Sequence, residues 1–184
     1  MKLATEEKLK NSLKPLSPVS LALYFSYVVR HKWQVFKLCV KHGLIWRGLV
    51  HDLSKFLPDE FFPYAKMFYS NVRTGEDKAA YAKANAKFEY AWLKHIHRNC
   101  HHPQYWILPK NGGSVHIEGK ILDMPELYVK EMVIDWVGAA IAQKTGRKAS
   151  DWYLLHKDEL TLSENTRKLV ERFLEQIFGD NKLP

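Results

Sequence analysis

The sequence predicts an all-α protein, and three observations carry that expectation. No segment alternates apolar and polar residues with the period of two that a half-buried strand requires. Long stretches instead repeat apolar residues every three or four positions among the strong helix formers Ala, Lys, Glu and Leu. Proline and glycine fall at the edges of those stretches, where helices start and stop.

In order, residues 1–14 are a polar, Lys-rich lead ended by Pro15 and Pro18. A long helix over 20–42 follows, with Gly43 in the left-handed position beyond its end. It is apolar on two faces, Val29, Trp33, Phe36 and Val40 on one and Tyr24, Tyr27, Val35 and Leu38 on the other. A helix apolar so widely is expected at the centre of the fold. Arg30, Lys37 and Lys41 line a basic stripe between the faces. A shorter helix is expected over 44–56. Pro58 opens the next, with Asp59 and Glu60 in the first turn, where the helix dipole favours carboxylates. Another runs over 76–97. Residues 103–120 hold Pro, Asn-Gly-Gly and Gly, so they form a loop or small hairpin. Asp123 as N-cap, Pro125 and Glu126 start a helix through Asp135 to Lys144. An amphipathic helix within 163–179, carrying Leu169, Val170, Phe173, Leu174 and Ile177, closes the chain at Gly179. With no repeat, low-complexity tract or long linker, 1–184 is expected to form a single domain with its core over 20–153.

Composition narrows the function classes. The 28 Lys+Arg exceed the 20 Asp+Glu, for a net charge of +8. That excess points to an anionic partner without saying which, being compatible with nucleic acid, with nucleotides or with solubility alone. Two cysteines, Cys39 and Cys100, build no disulfide framework, which places the chain in a reducing cytoplasm. The polar start does not fit a signal peptide, and the longest uncharged apolar run, 19–29, is too short to span a bilayer. No membrane partner is expected, and the sequence sets no oligomeric state.

The nine histidines are less evenly spread than the charge. His51 and Asp52 adjoin in WRGLVHDLSKF, with Lys55 four and three residues later. Imidazole beside carboxylate suits a divalent ion such as Mn, Fe, Co or Zn, and a lysine there can hold a phosphate oxygen. His31 lies on the inward face of the long helix, where a satisfied core histidine competes with a ligand. The turn at Gly43 would bring the next helix back toward it. Asp135 interrupts the apolar run EMVIDWVGAAIA, where a carboxylate must be paired or bound to a cation. Glu131 stands one turn earlier on the same face. In KHIHRNCHHPQYW four histidines (His95, His97, His101, His102) fall within eight residues. His95 and His97 point to different sides of a helix, Asn99 can hold the turn, and Pro103 makes His102 extended. At least one of the four is expected to be a bystander.

The ordered set His31, His51-Asp52, Asp135 resembles the H…HD…D signature of the HD-domain metal-dependent phosphohydrolase superfamily, and HDLSKF is similar to its HD-x-x-K turn. The phrases EFFPYAKMFY, AWLKHIHRNCHHPQYW and MPELYVKEMVIDW resemble a narrower, uncharacterised HD-like family of small bacterial and phage proteins, over about 20–153. The superfamily resemblance implies an HD-domain-like helical bundle with a central metal held by His31, His51, Asp52 and Asp135. Some branches carry further histidines and a second ion bridged by the position of Asp52. His95 and His101 or His102 fit that role, although they lie closer together in this chain than in those branches.

The function expected from this is a phosphohydrolase using one or two divalent transition-metal ions and a metal-activated water. Lys55 and Arg98 would contact the phosphate, and Glu131 or a cluster histidine would relay a proton. Two other functions compete, an HD-type di-iron oxygenase and a non-catalytic nucleic-acid-binding module with a structural metal. The basic stripe serves the last only if it is more than a solvated helix face.

Overall fold

The computed structural model describes residues 16–73, 77–109, 120–144, 146 and 148–178. The all-α class holds: among these residues there are seven α-helices and one two-stranded antiparallel ribbon. The expected lead, His116 and Gly179 lie outside the described residues.

The chain divides into two compact units interleaved in sequence. Unit one holds the described residues of Met1–Arg30 and Asp52–Arg98, and unit two those of His31–His51 and Asn99–Pro184. Helix α1, Pro18–Lys41, passes from the first into the second. It starts two residues earlier than the apolar pattern suggests. Ser17 precedes Pro18 as its cap, with Ser20 N–H donating to Ser17 Oγ at 3.1 Å and Ser17 N–H to Ser20 Oγ at 3.3 Å.

In unit one, a 3-10 turn (Leu53–Phe56), α3 (Pro58–Phe68) and α4 (Lys78–Arg98) pack beside the first part of α1. The core is aromatic. Tyr24 sets its ring 5.0 Å from Phe61 and 5.5 Å from Tyr69, with Val28, Tyr64, Ala65 and Ala91 buried around them.

Unit two contains the rest of α1, then α2 (Ile45–Val50), strands β1 (Ile107–Leu108) and β2 (Lys120–Ile121), α5 (Glu126–Gln143), α6 (Ala149–His156) and α7 (Glu164–Phe178). Val129, Met132, Val133 and Val137 of α5 meet Val170, Phe173 and Leu174 of α7. A second cluster joins Val35 and Cys39 of α1 to Ile134 of α5. Two glycines let these helices approach closely. A Cβ on Gly138 would stand 2.5 Å from Val35 Cγ2, and one on Gly48 would stand 2.7 Å from Cys39 Cβ.

Three local expectations need correcting. The helix over 44–56 is broken: α2 ends at Val50, and Asp52 takes a left-handed backbone (φ 52°) before the 3-10 turn. Lys32 Nζ donates to the carbonyls of Leu49 (2.7 Å) and His51 (2.8 Å), acceptors that a continuing helix would use itself. Asp tolerates the left-handed region better than most residues. Next, α1 is not apolar-buried all round, because Val29, Trp33 and Val40 are exposed while Tyr24, Val28, His31, Val35 and Cys39 are buried. Finally, Asp123 does not cap α5; its carboxylate accepts from Ser163 Oγ (2.5 Å) and Asn165 Nδ2 (2.8 Å), and Pro125 precedes the helix.

Candidate metal centre

Unit two collects three histidines and two acids. His31 comes from α1, His51 ends α2, and His101 follows α4 in the turn before Pro103. Glu131 and Asp135 lie one turn apart on α5. All three imidazoles and Glu131 are buried to 2% exposure or less. The Nε2 atoms converge on one carboxylate: His31 Nε2 is 2.9 Å and His51 Nε2 3.2 Å from Asp135 Oδ1, and His101 Nε2 is 3.9 Å from Oδ2. From behind, Glu131 Oε1 lies 3.0 Å from His51 Nδ1 and 3.5 Å from His101 Nδ1, while its Oε2 accepts from Arg47 Nε at 2.7 Å.

Electrostatics keep both acids ionised. Burial pushes the Asp135 carboxyl up, but hydrogen bonds with His31 and His51 outweigh it and hold the group well below the carboxylate range. Glu131 is likewise lowered, burial being overcome by His101, His51 and Arg47.

The donor set fits a cation. A neutral imidazole has one N–H, yet both nitrogens of His51 face carboxylate oxygens. One of those gaps therefore calls for a second proton or a metal. Ligating atoms of His51, His101 and Glu131 lie within 4.8 Å of one another, so these buried groups could hold a metal ion. Cys39, nearby in α1, adds no ligand: burial pushes its thiol up to about 12, which keeps it protonated.

Unit one gathers a second set. Asp52 pairs with Lys55 three residues on. His95, near the end of α4, has Nε2 3.4 Å from Asp52 Oδ1 and Nδ1 2.8 Å from Glu60 Oε2. Glu60 also accepts from Ser54 Oγ (2.9 Å) and Arg98 Nη1 (2.7 Å). Arg98 grips Asp59 as well, at 2.8 and 3.1 Å. The Tyr24 and Tyr64 hydroxyls are buried with no hydrogen-bond partner among the described residues, and the Tyr64 ring is edge-on to His95 at 6.0 Å.

The expected residues thus fall into two groups, His31, His51, His101, Glu131 and Asp135 in unit two and Asp52, Lys55, His95 and Arg98 in unit one. His102 is half-buried, its ring 4.3 Å from His101. His97 is the bystander: it is exposed, and its Nδ1 donates to the Leu93 carbonyl. Of the basic stripe, Lys37 and Lys41 are exposed and Arg30 donates to Ser26. Sequence inspection overlooked Arg47, Ser54 and the two tyrosines, and took Glu60 only for a helix-start acid. No local sequence signal marked Glu60, whose partner His95 lies 35 residues on.

A family model described as a family of unknown function (DUF5662) matches residues 21–176. No curated protein and no solved structure matches the chain.

Proposed function

The chain belongs to that family, whose description assigns no activity, and from its side chains we propose a metal-dependent hydrolase of phosphate esters or nucleotides. The observation that carries the reading is the convergence of three imidazole Nε2 atoms on the Asp135 carboxylate. His31, His51, His101 and Asp135 would hold the ion, and borderline imidazole nitrogens with one carboxylate suit Mn, Fe, Co or Zn. A divalent ion held there supplies Lewis acidity, acidifying water and offsetting charge on phosphate oxygens.

The chain's own groups then divide the work. Glu131, ionised and gripped by Arg47, orients the His51 and His101 rings, so it fits an orienting role better than the proton relay first expected. Lys55 pairs with Asp52, so it steadies that acid in preference to contacting substrate. Arg98 already pairs with Asp59 and Glu60, so it supports those acids in preference to contacting substrate.

Metal analysis of protein purified from metal-replete medium, followed by a screen of phosphate esters and nucleotides on the same preparation, tests the reading. Bound transition metal and turnover, both lost in His51→Ala, are expected. Metal-free protein would sink the centre as drawn. A mixed-valent iron pair after anaerobic iron loading, without ester turnover, would assign oxygenase chemistry instead.

A further inference from the structure

We propose that a groove between α3 and α4 of unit one binds a single-chain amphipathic anion, an aliphatic tail that ends in one anionic head. No residue of the metal centre lines it, so this site stands or falls apart from the hydrolase reading.

The groove has a volume of about 630 Å³, within the roughly 300–1,000 Å³ usual for small-molecule sites. Its lining is mostly apolar, with Phe62 and Pro63 from α3 and Ala80 and Ala84 from α4. Phe62 is 47% exposed, a large ring without cover. Proline and alanine have no rotamers to lose when a tail settles against them, so these walls need little ordering.

Three lysines complete the lining. Lys66 of α3 is half-buried, and Lys83 and Lys87 of α4 are exposed. Lys83 and Lys87 stand one helical turn apart, where like charges repel. Among the described residues no acid lines the groove and none of the three lysines has an ion pair. The acids of α3 are engaged elsewhere, Asp59 by Lys94 and Arg98 and Glu60 by Arg98 and His95. Cations gathered at an uncovered apolar groove match a tail that buries and a head that neutralises.

The sign of charge selects among occupants. A second copy of the chain would bring a net +8. Residues 1–15, which lead to Leu16 on the groove, hold four lysines against two glutamates. Either would add cations to cations, whereas an anionic amphiphile brings the opposite charge.

NMR of the isotope-labelled full chain, titrated with laurate below its micellar concentration, tests the site. Laurate should shift the signals of Ala80, Ala84, Lys66, Lys83 and Lys87, and added salt should weaken it. Dodecylamine, with the same tail and the opposite charge, should leave those signals in place. Each of Lys66→Ala, Lys83→Ala and Lys87→Ala should weaken laurate about 2- to 5-fold. Ala80→Trp, at an exposed position, should fill the groove and abolish the response in a folded chain. His51→Ala, which removes a proposed metal ligand, should bind laurate as the wild type does. Laurate shifts absent from the groove or centred elsewhere overturn the proposal, as does equal binding of dodecylamine. Unchanged affinity in the folded Lys83→Ala, Lys87→Ala double variant overturns the role of the lysines. Phosphatidylglycerol vesicles that bind the chain while laurate leaves the groove unmoved overturn it too, assigning the lysines to a bilayer surface.

Discussion

Glu131 illustrates how much one buried side chain can set at the residue scale, since it meets Arg47, His51 and His101 at once. Removing it frees two rings and leaves Arg47 without its acid. Glu131→Ala is therefore expected to lower metal affinity about 10- to 100-fold, as loss of an orienting partner generally does, measured by competition with a chromogenic chelator. Both lowered glutamates also make stability depend on pH. A carboxyl depressed in the folded state contributes stability fully present above its unfolded pKa of about 4.3 and loses it as pH falls toward the folded value. Glu131 and Glu60 should thus lower the urea midpoint between pH 6 and pH 3. Glu131→Gln should flatten that dependence, and an unchanged slope would contradict the assignment. The acids at 52 and 135 were legible in the sequence because one adjoins a histidine and the other interrupts an apolar helix. Glu60 was not, because its partner His95 is 35 residues away and no local pattern relates two helices.

At the scale of elements, the ligand-bearing helices of unit two depend on close approach. Val35 presses backbone and side chain against Gly138, and Cys39 and Phe36 press against Gly48. These contacts bring α1 to α5 and α2 to α1, the helices that carry His31, Asp135 and His51. Gly138→Ala forces a methyl against Val35 and is expected to cost about 1–3 kcal/mol in chemical denaturation, with weaker metal binding in the folded fraction. Wild-type stability in that variant would mean the helices can separate freely. Six of the seven helices could be anticipated from apolar spacing and punctuation, α6 being the exception. The interruption between α2 and the turn at Leu53 could not, because its cause is Lys32, 17 and 19 residues from the carbonyls it binds.

For the whole molecule, a ligand that binds only the folded state raises its stability by mass action, by about 2.7 kcal/mol at a hundredfold excess over Kd. Zinc or manganese should raise the thermal midpoint, EDTA should reverse the rise, and Asp135→Ala should abolish it. A midpoint indifferent to metal in the wild type would remove the basis for the centre. Charge and histidines also part company at this scale. The net +8 remains a general preference for anions, whereas three of the nine histidines define a specific donor set. No described helix is long and apolar enough to cross a membrane.

The interleaving of the two units has a genetic consequence. The chain changes unit after Arg30, after His51 and after Arg98, so no single crossover can exchange one unit between relatives and leave the other whole. A fragment ending at Arg98 would carry 31–51 away from the rest of unit two, taking His31 and His51 from Asp135. Recombinants joined at one point should therefore survive only where both parents agree on the residues that face these acids.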